Sequence, residues 1–140
     1  MLFFGFTHCP SLCPTTMQAL AGMMEQLQAT HFSPLPRVVL ISVDPNRDNL
    51  ITLAQFVHTF NPDFYAARGN LVSPSQLAKQ FGIGLEVSHT IEHTGTILVI
   101  NPEGQLAAFL TTPHHAENLA QDYRQILMQT SYHASQGIRT

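Results

Sequence analysis

An α/β domain with a mixed central sheet flanked by helices is the fold class that the sequence predicts. Three observations predict it. Two continuous apolar runs, Leu2–Thr7 and Val38–Val43, lie either side of a stretch with helical periodicity. A second pair of apolar runs near the end is separated by a four-residue turn cluster, Asn101-Pro102-Glu103-Gly104. Amphipathic helical stretches fall between and after these runs, so strand and helix periods alternate along one chain.

The elements follow in order. Leu2–Thr7 has no polar alternation, the pattern of a strand buried on both faces. Pro10 and Pro14 bracket two cysteines and punctuate a loop. Met17, Leu20, Met24 and Leu27 then recur at three- and four-residue spacing, which gives a helix one apolar stripe. Pro14 suits the first turn of that helix, where a residue without an N–H loses no hydrogen bond. Ser33-Pro34-Leu35-Pro36 ends the unit, and Val38–Val43 completes a strand–helix–strand motif.

Asp44-Pro45-Asn46-Arg47-Asp48 is a turn cluster, followed by a second amphipathic helix on Leu50, Leu53, Ala54, Val57 and Phe60. A short strand is expected at Phe64–Ala67 and a short helix at Ser75–Phe81. Thr96–Ile100 and Gln105–Leu110 form an antiparallel hairpin, with Pro second and Gly fourth in a type I turn. A last helix carries Leu119, Ala120, Tyr123, Ile126 and Leu127 on one face. Residues 129–140 read as a polar tail, leaving one domain over 1–128. The order βαβ, helix, ββ, helix is the thioredoxin arrangement.

Composition excludes several classes of function. The chain has 140 residues, 44% of them hydrophobic and 11% charged, which suits a compact core rather than a disordered segment. Net charge is -3 and the six Lys and Arg are scattered, so no basic patch exists to neutralise nucleic-acid phosphates. No run reaches the roughly 18–20 apolar residues of a membrane span. The opening Met1-Leu2-Phe3-Phe4-Gly5-Phe6 lacks the basic flank of a signal peptide and reads as a strand.

Chemistry concentrates in Thr7-His8-Cys9-Pro10-Ser11-Leu12-Cys13-Pro14, where a buried strand hands over to a helix. Unpaired N–H groups and the helix dipole favour negative charge there. A thiolate in that place becomes both nucleophile and metal ligand. With three residues between them, Cys9 and Cys13 can close a disulfide or converge on one soft metal ion. Two small buried hydrophobes is the bland alternative.

The string Phe4-Gly5-Phe6-Thr7-His8-Cys9-Pro10-Ser11-Leu12-Cys13-Pro14 closely resembles the cysteine motif of the Sco/SenC family. Ile41-Ser42-Val43-Asp44-Pro45-Asn46-Arg47-Asp48 resembles that family's next signature. Glu92-His93-Thr94 resembles its Asp-His-Ser element ahead of the hairpin. The resemblance implies a thioredoxin-like copper metallochaperone and thiol redox protein that helps to assemble the dinuclear copper centre of cytochrome c oxidase. It implies one copper ion, Cu(I) or Cu(II), held by Cys9, Cys13 and His93. It further implies a monomer whose partner is oxidase subunit II or another copper or thiol protein. Its location would be the periplasmic face of the bacterial inner membrane or the mitochondrial intermembrane space.

Four departures accompany the resemblance. The family's first strands and membrane anchor have no counterpart before Met1, which suggests a truncated piece of a longer protein and leaves tethering undecided. Ser11 stands where an acidic residue is usual, Glu92 where Asp is usual, and the link from Phe81 to His93 is shorter than typical.

The donor set itself suits copper. Thiolates favour Cu(I) and imidazole tolerates both oxidation states, whereas a structural zinc site takes four ligands. His89 and His93 have the spacing of a helical zinc pair, but Thr90, Ile91, Thr94 and Gly95 argue against a helix, which leaves His89 as a reserve ligand. His8 points away from Cys9 on an extended strand end, and Asp44 is a turn residue that can assist from outside the ligand set. Met17, Met23 and Met24 could suggest a thioether site, but helical spacing assigns Met17 and Met24 to the core. His114 and His115 are expected as solvated caps, and His31, His58 and His133 at the surface. The competing function is a thiol-disulfide oxidoreductase acting without obligatory copper, with Cys9 attacking and Cys13 resolving. A peroxidase on the same fold is a third reading. His93 discriminates, since a pure oxidoreductase needs no third ligand.

Overall fold

A computed structural model describes residues 1–5, 12–42, 49–68, 79 and 96–135. In chain order the elements are β1 (Leu2–Gly5), α1 (Leu12–Ala29), β2 (Val39–Ser42), α2 (Leu50–His58), β3 (Tyr65–Arg68), β4 (Ile97–Ile100), β5 (Leu106–Leu110) and α3 (Ala116–Ser135). The strands form one sheet in the order β3-β2-β1-β4-β5. β1 pairs in parallel with β2, and β2 with β3. β4 runs antiparallel to β1 and to β5. The expected mixed sheet with flanking helices is therefore the observed architecture.

Register explains why the strands read as continuous apolar runs. Tyr65, Val39, Leu2, Leu98 and Phe109 stand in one row across the sheet, and Ala66, Leu40, Phe3, Ile97 and Leu110 in the next. Successive residues of a strand face opposite sides, so the two rows belong to opposite faces. The second row packs into one core with Met17, Leu20, Met23, Met24 and Leu27 of α1, Leu53 and Val57 of α2, and Leu119, Ala120 and Tyr123 of α3. The first row is buried at its centre, where Leu98 is 0% exposed, and opens at both edges, with Tyr65 at 53% and Phe109 at 42%.

Local chemistry ends each helix. α1 closes on a Schellman motif: the Phe32 N–H donates to the Leu27 carbonyl at 2.9 Å and the His31 N–H to that of Gln28 at 3.1 Å. His31 occupies the left-handed position at φ 56, a place that ordinarily takes glycine. Asn49 caps α2 by accepting from the Thr52 N–H at 2.8 Å, which stabilises the helix by about 1 kcal/mol. In the hairpin, Gly104 (φ 81) donates to the Asn101 carbonyl, and the Asn101 side chain accepts from the Gln105 N–H at 2.7 Å. Ala107 is the extra residue of β5, where pairing shifts between Val99–Ala108 and Ile100–Leu106.

α1 and α3 pack against each other, and their ends are tied to the β2 approach. Tyr123 donates its hydroxyl to the Pro34 carbonyl at 2.6 Å, and burial pushes its pKa up. Its ring meets Phe32 edge-on at 5.9 Å, and Arg124 lies over the other aromatic contact, 5.7 Å from the Phe32 centroid. α1 and α3 approach so closely that a Cβ on Gly22 would lie 2.8 Å from that of Ala116.

Several boundaries differ from expectation. α1 begins at Leu12, so Cys13 is helical rather than part of a loop, and Pro14 stands in the first turn as expected. The first N–H groups of a helix have no intrahelical partner, so Pro14 loses nothing there. α3 continues to Ser135, past Gln129 where the tail was expected, because no Gly or Pro interrupts the chain before Gly137. Of the helix expected at Ser75–Phe81 only Lys79 is described, and it is helical.

Candidate metal centre

The topology places the anchor points of all three expected ligands at one end of the sheet. β1 ends at Gly5, which stands beside Ser42, the last residue of β2. β4 starts at Ile97 opposite Phe3, so its first residue lies at that same end. Cys9 is carried on the link from Gly5 to α1, and Asp44 on the continuation of β2. His93 precedes Thr96 by three residues, a reach of at most about 11 Å for extended chain.

Of the expected ligands, Cys13 lies within the described backbone, as the second residue of α1. Cys9, His93 and the reserve ligand His89 lie outside the described residues, as do His8, Ser11, Asp44 and Glu92. Among the described residues no three His, Cys, Asp or Glu side chains gather. The first turn of α1 carries no acidic residue, so its positive end is not already neutralised by a carboxylate. That helix end can stabilise a thiolate by about 0.3–1 kcal/mol.

Three hydroxyl side chains are buried toward this end of the fold. They are Thr16 in α1, Ser42 at the end of β2 and Thr96 before β4, at 1%, 2% and 6% exposure. None was singled out from the sequence. A Thr at an apolar period looks like an ordinary helix residue, and its burial shows only in the fold.

The remaining candidates sort as follows. Met17 and Met24 are buried core residues, as expected, and Met23 is buried with them. His31 and His58 are exposed. His115 is exposed too, and its carbonyl accepts from the Leu119 N–H at 2.9 Å. His114 is a correction: it is buried rather than a solvated cap. It stands two residues ahead of α3, and the sequence does not show what packs over that approach.

Fold and cysteine position together define a thioredoxin-like domain whose dithiol motif sits at a strand-to-helix junction. The chain belongs to the SCO1/SenC family, whose model matches residues 1–128. A Stutzerimonas stutzeri protein, named as a candidate copper-binding protein, is 31% identical over 133 residues, covering 91% of this chain and 65% of that one. The mouse "Protein SCO2 homolog, mitochondrial" is 26% identical over 131 residues, covering 89% of this chain and 51% of that protein. This chain thus spans about half the length of the mitochondrial relatives it matches. The crystal structure of Arabidopsis thaliana ScoI with copper bound superposes at a TM-score of 0.71 with 25% identity, over 91% of this chain and 82% of that one.

Proposed function

We propose that this chain binds one copper ion through Cys9, Cys13 and His93 and uses it in assembling the dinuclear copper centre of cytochrome c oxidase. The observation that carries this reading is the common end of β1, β2, β4 and α1, from which every segment bearing a proposed ligand departs. The fold likeness to a copper-bound plant structure and the copper named in the bacterial relative support it. Copper is the cargo, and oxidase subunit II or another copper or thiol protein is the recipient. The chain is a carrier rather than a turnover enzyme, works as a monomer, and acts at the periplasmic face of the bacterial inner membrane or in the mitochondrial intermembrane space. Among the described residues no helix is long and apolar enough to cross a membrane.

The mechanism follows from what each group does in its two states. Reduced Cys9 and Cys13 supply two soft thiolates and His93 a neutral imidazole, a donor set that accepts Cu(I). Oxidised to a disulfide, the same pair has no thiolate to offer, so metal loading requires the reduced chain. The pair can also prepare its recipient. The Cys9 thiolate attacks a partner disulfide, forming a mixed disulfide and releasing one partner thiolate. Cys13 then attacks the Cys9 sulfur, releasing the second thiolate. Two electrons pass to the partner, and this chain is left oxidised.

An anaerobic titration of the reduced chain with Cu(I) against a competing chelator tests the reading. One tight equivalent is expected, weakened at least about tenfold by His93→Ala through loss of one ligand. Absence of tight binding overturns the copper assignment and leaves a thiol reductant, whose target a Cys13→Ser chain would trap as a mixed disulfide.

A further inference from the structure

Leu50 and Ile51 open α2 with two adjacent large aliphatic side chains in water, at 55% and 73% exposure. A first helical turn ordinarily carries polar and acidic residues, which suit its unpaired N–H groups and positive end. Here it carries no acidic residue, and the cap is made by Asn49. Leu50 continues the buried Leu53–Val57 stripe by one turn past the core. Ile51 has no such account in the fold. One and two turns on, its face of the helix carries Gln55 and His58, both exposed. Glutamine would serve an exposed helical position better than a β-branched aliphatic.

Position gives these residues a role. β2 ends at Ser42 beside Gly5, and β3 starts at Tyr65 opposite Val39, so α2 runs from the Gly5–Ser42 end of the sheet back to the other. Its nine residues span about 12 Å against about 10 Å for β2, which leaves its first turn level with that end. α1 starts at the same end with Cys13 in its first turn, and both helices pack into one core on one face of the sheet. β1, whose chain continues toward Cys9, and β3, on which α2 packs, stand about 10 Å apart across β2. A standard protein interface covers about 800 Å² per partner, a disc of roughly 16 Å radius. A protein centred on the cysteine motif therefore also covers the first turn of α2, whereas a small disulfide does not. We propose that Leu50 and Ile51 form an apolar docking contact for the recipient protein, which presents an uncharged apolar rim beside its own cysteines or copper site. This inference rests on the reading of Cys9 and Cys13 as the copper and redox pair.

The test compares two disulfides as substrates of the reduced, copper-free chain: the copper-binding domain of oxidase subunit II in its disulfide form, and oxidised glutathione. Ile51→Gln and Leu50→Gln are each expected to slow reduction of the domain about tenfold, the loss that follows from one aliphatic contact, and to leave the glutathione rate within about twofold of wild type. Ile51→Leu, which keeps an apolar side chain, is expected to stay near wild type on both. The urea midpoint of Ile51→Gln is expected to be unchanged, since the position is exposed. Gln chains that reduce the domain as fast as wild type overturn the inference, and so do Gln chains that are slowed equally on both disulfides. A Gln chain that keeps the wild-type rate but loses self-association, or binding to phosphatidylglycerol vesicles, overturns it in favour of a second copy or a membrane surface. A wild-type chain that reduces glutathione but not the domain overturns the recipient, and one that reduces neither overturns the redox reading. The inference falls with either, and both outcomes are distinct from a working exchange that ignores Leu50 and Ile51.

Discussion

Replacing Gly22 by alanine tests the packing of α1 on α3, the contact that holds the candidate centre's helix in place. The added Cβ would meet the Ala116 Cβ at 2.8 Å. Two carbons rest at about 3.5–4.0 Å, so about 0.7–1.2 Å of separation must be found. Neither methyl has a rotamer to give, so the relief has to come from moving one helix against the other. Overpacking of this sort costs about 1–3 kcal/mol. Alanine also gains about 1 kcal/mol of helix propensity over glycine. The difference is a net loss of about 0–2 kcal/mol, where an open helical position would show a gain. Urea denaturation read by circular dichroism measures it as a lower midpoint at unchanged slope. The double variant Gly22→Ala with Ala116→Gly removes the opposing methyl and should recover most of the loss. A stabilised Gly22→Ala chain, or a double variant no better than the sum of its parts, would refute the close approach.

Two further outcomes follow from local geometry. His31→Gly should stabilise the chain by about 1 kcal/mol, since His31 holds a left-handed φ of 56 that glycine adopts without strain; a lower urea midpoint would contradict the C-cap geometry. In a chain beginning at Met1, burial lowers the terminal ammonium, which donates to the Arg37 carbonyl at 2.6 Å, to a pKa of about 6 from 8.0. The unfolded chain then binds more protons between pH 6 and 8. Stability should rise with pH across that window by up to about 3 kcal/mol and fall as pH drops through it. Urea midpoints at both ends, compared with an Nα-acetylated chain, isolate this group; an equal rise after acetylation would assign the effect elsewhere.

Element order was legible because the strand runs Leu2–Thr7 and Val38–Val43 and the stripe Met17–Leu20–Met24–Leu27 carry distinct periods. Register was not, because a run without polar alternation has no preferred face in sequence; that Leu98 and Ile97 serve opposite sides emerges only from pairing. Pro14 was legible as a first-turn residue, because a helix's first N–H groups tolerate proline, but the helix start at Leu12 was not, so Cys13 was read with the loop. His114 was read as solvated because burial of a residue ahead of a helix depends on what the fold lays over it. At the candidate centre, Cys9, Cys13 and His93 are proposed from donor chemistry and family resemblance, and of the three only the Cys13 backbone lies among the described residues. The burial of Thr16 was not legible, since a Thr within a helical period carries no mark of its surroundings.

The parallel ladder of β1 on β2, from Leu2–Val39 to Gly5–Ser42, acts as a ruler for the chemistry above it. A one-residue slip would displace Gly5 along Ser42 by about 3.3 Å, comparable to a whole metal–ligand bond, and would turn Phe3 out of the core. The apolar cost of that inversion fixes where the cysteine-bearing and Asp44-bearing segments start relative to each other. Hydrophobic residues thereby determine how far apart the segments bearing the proposed ligand Cys9 and its expected neighbour Asp44 are launched.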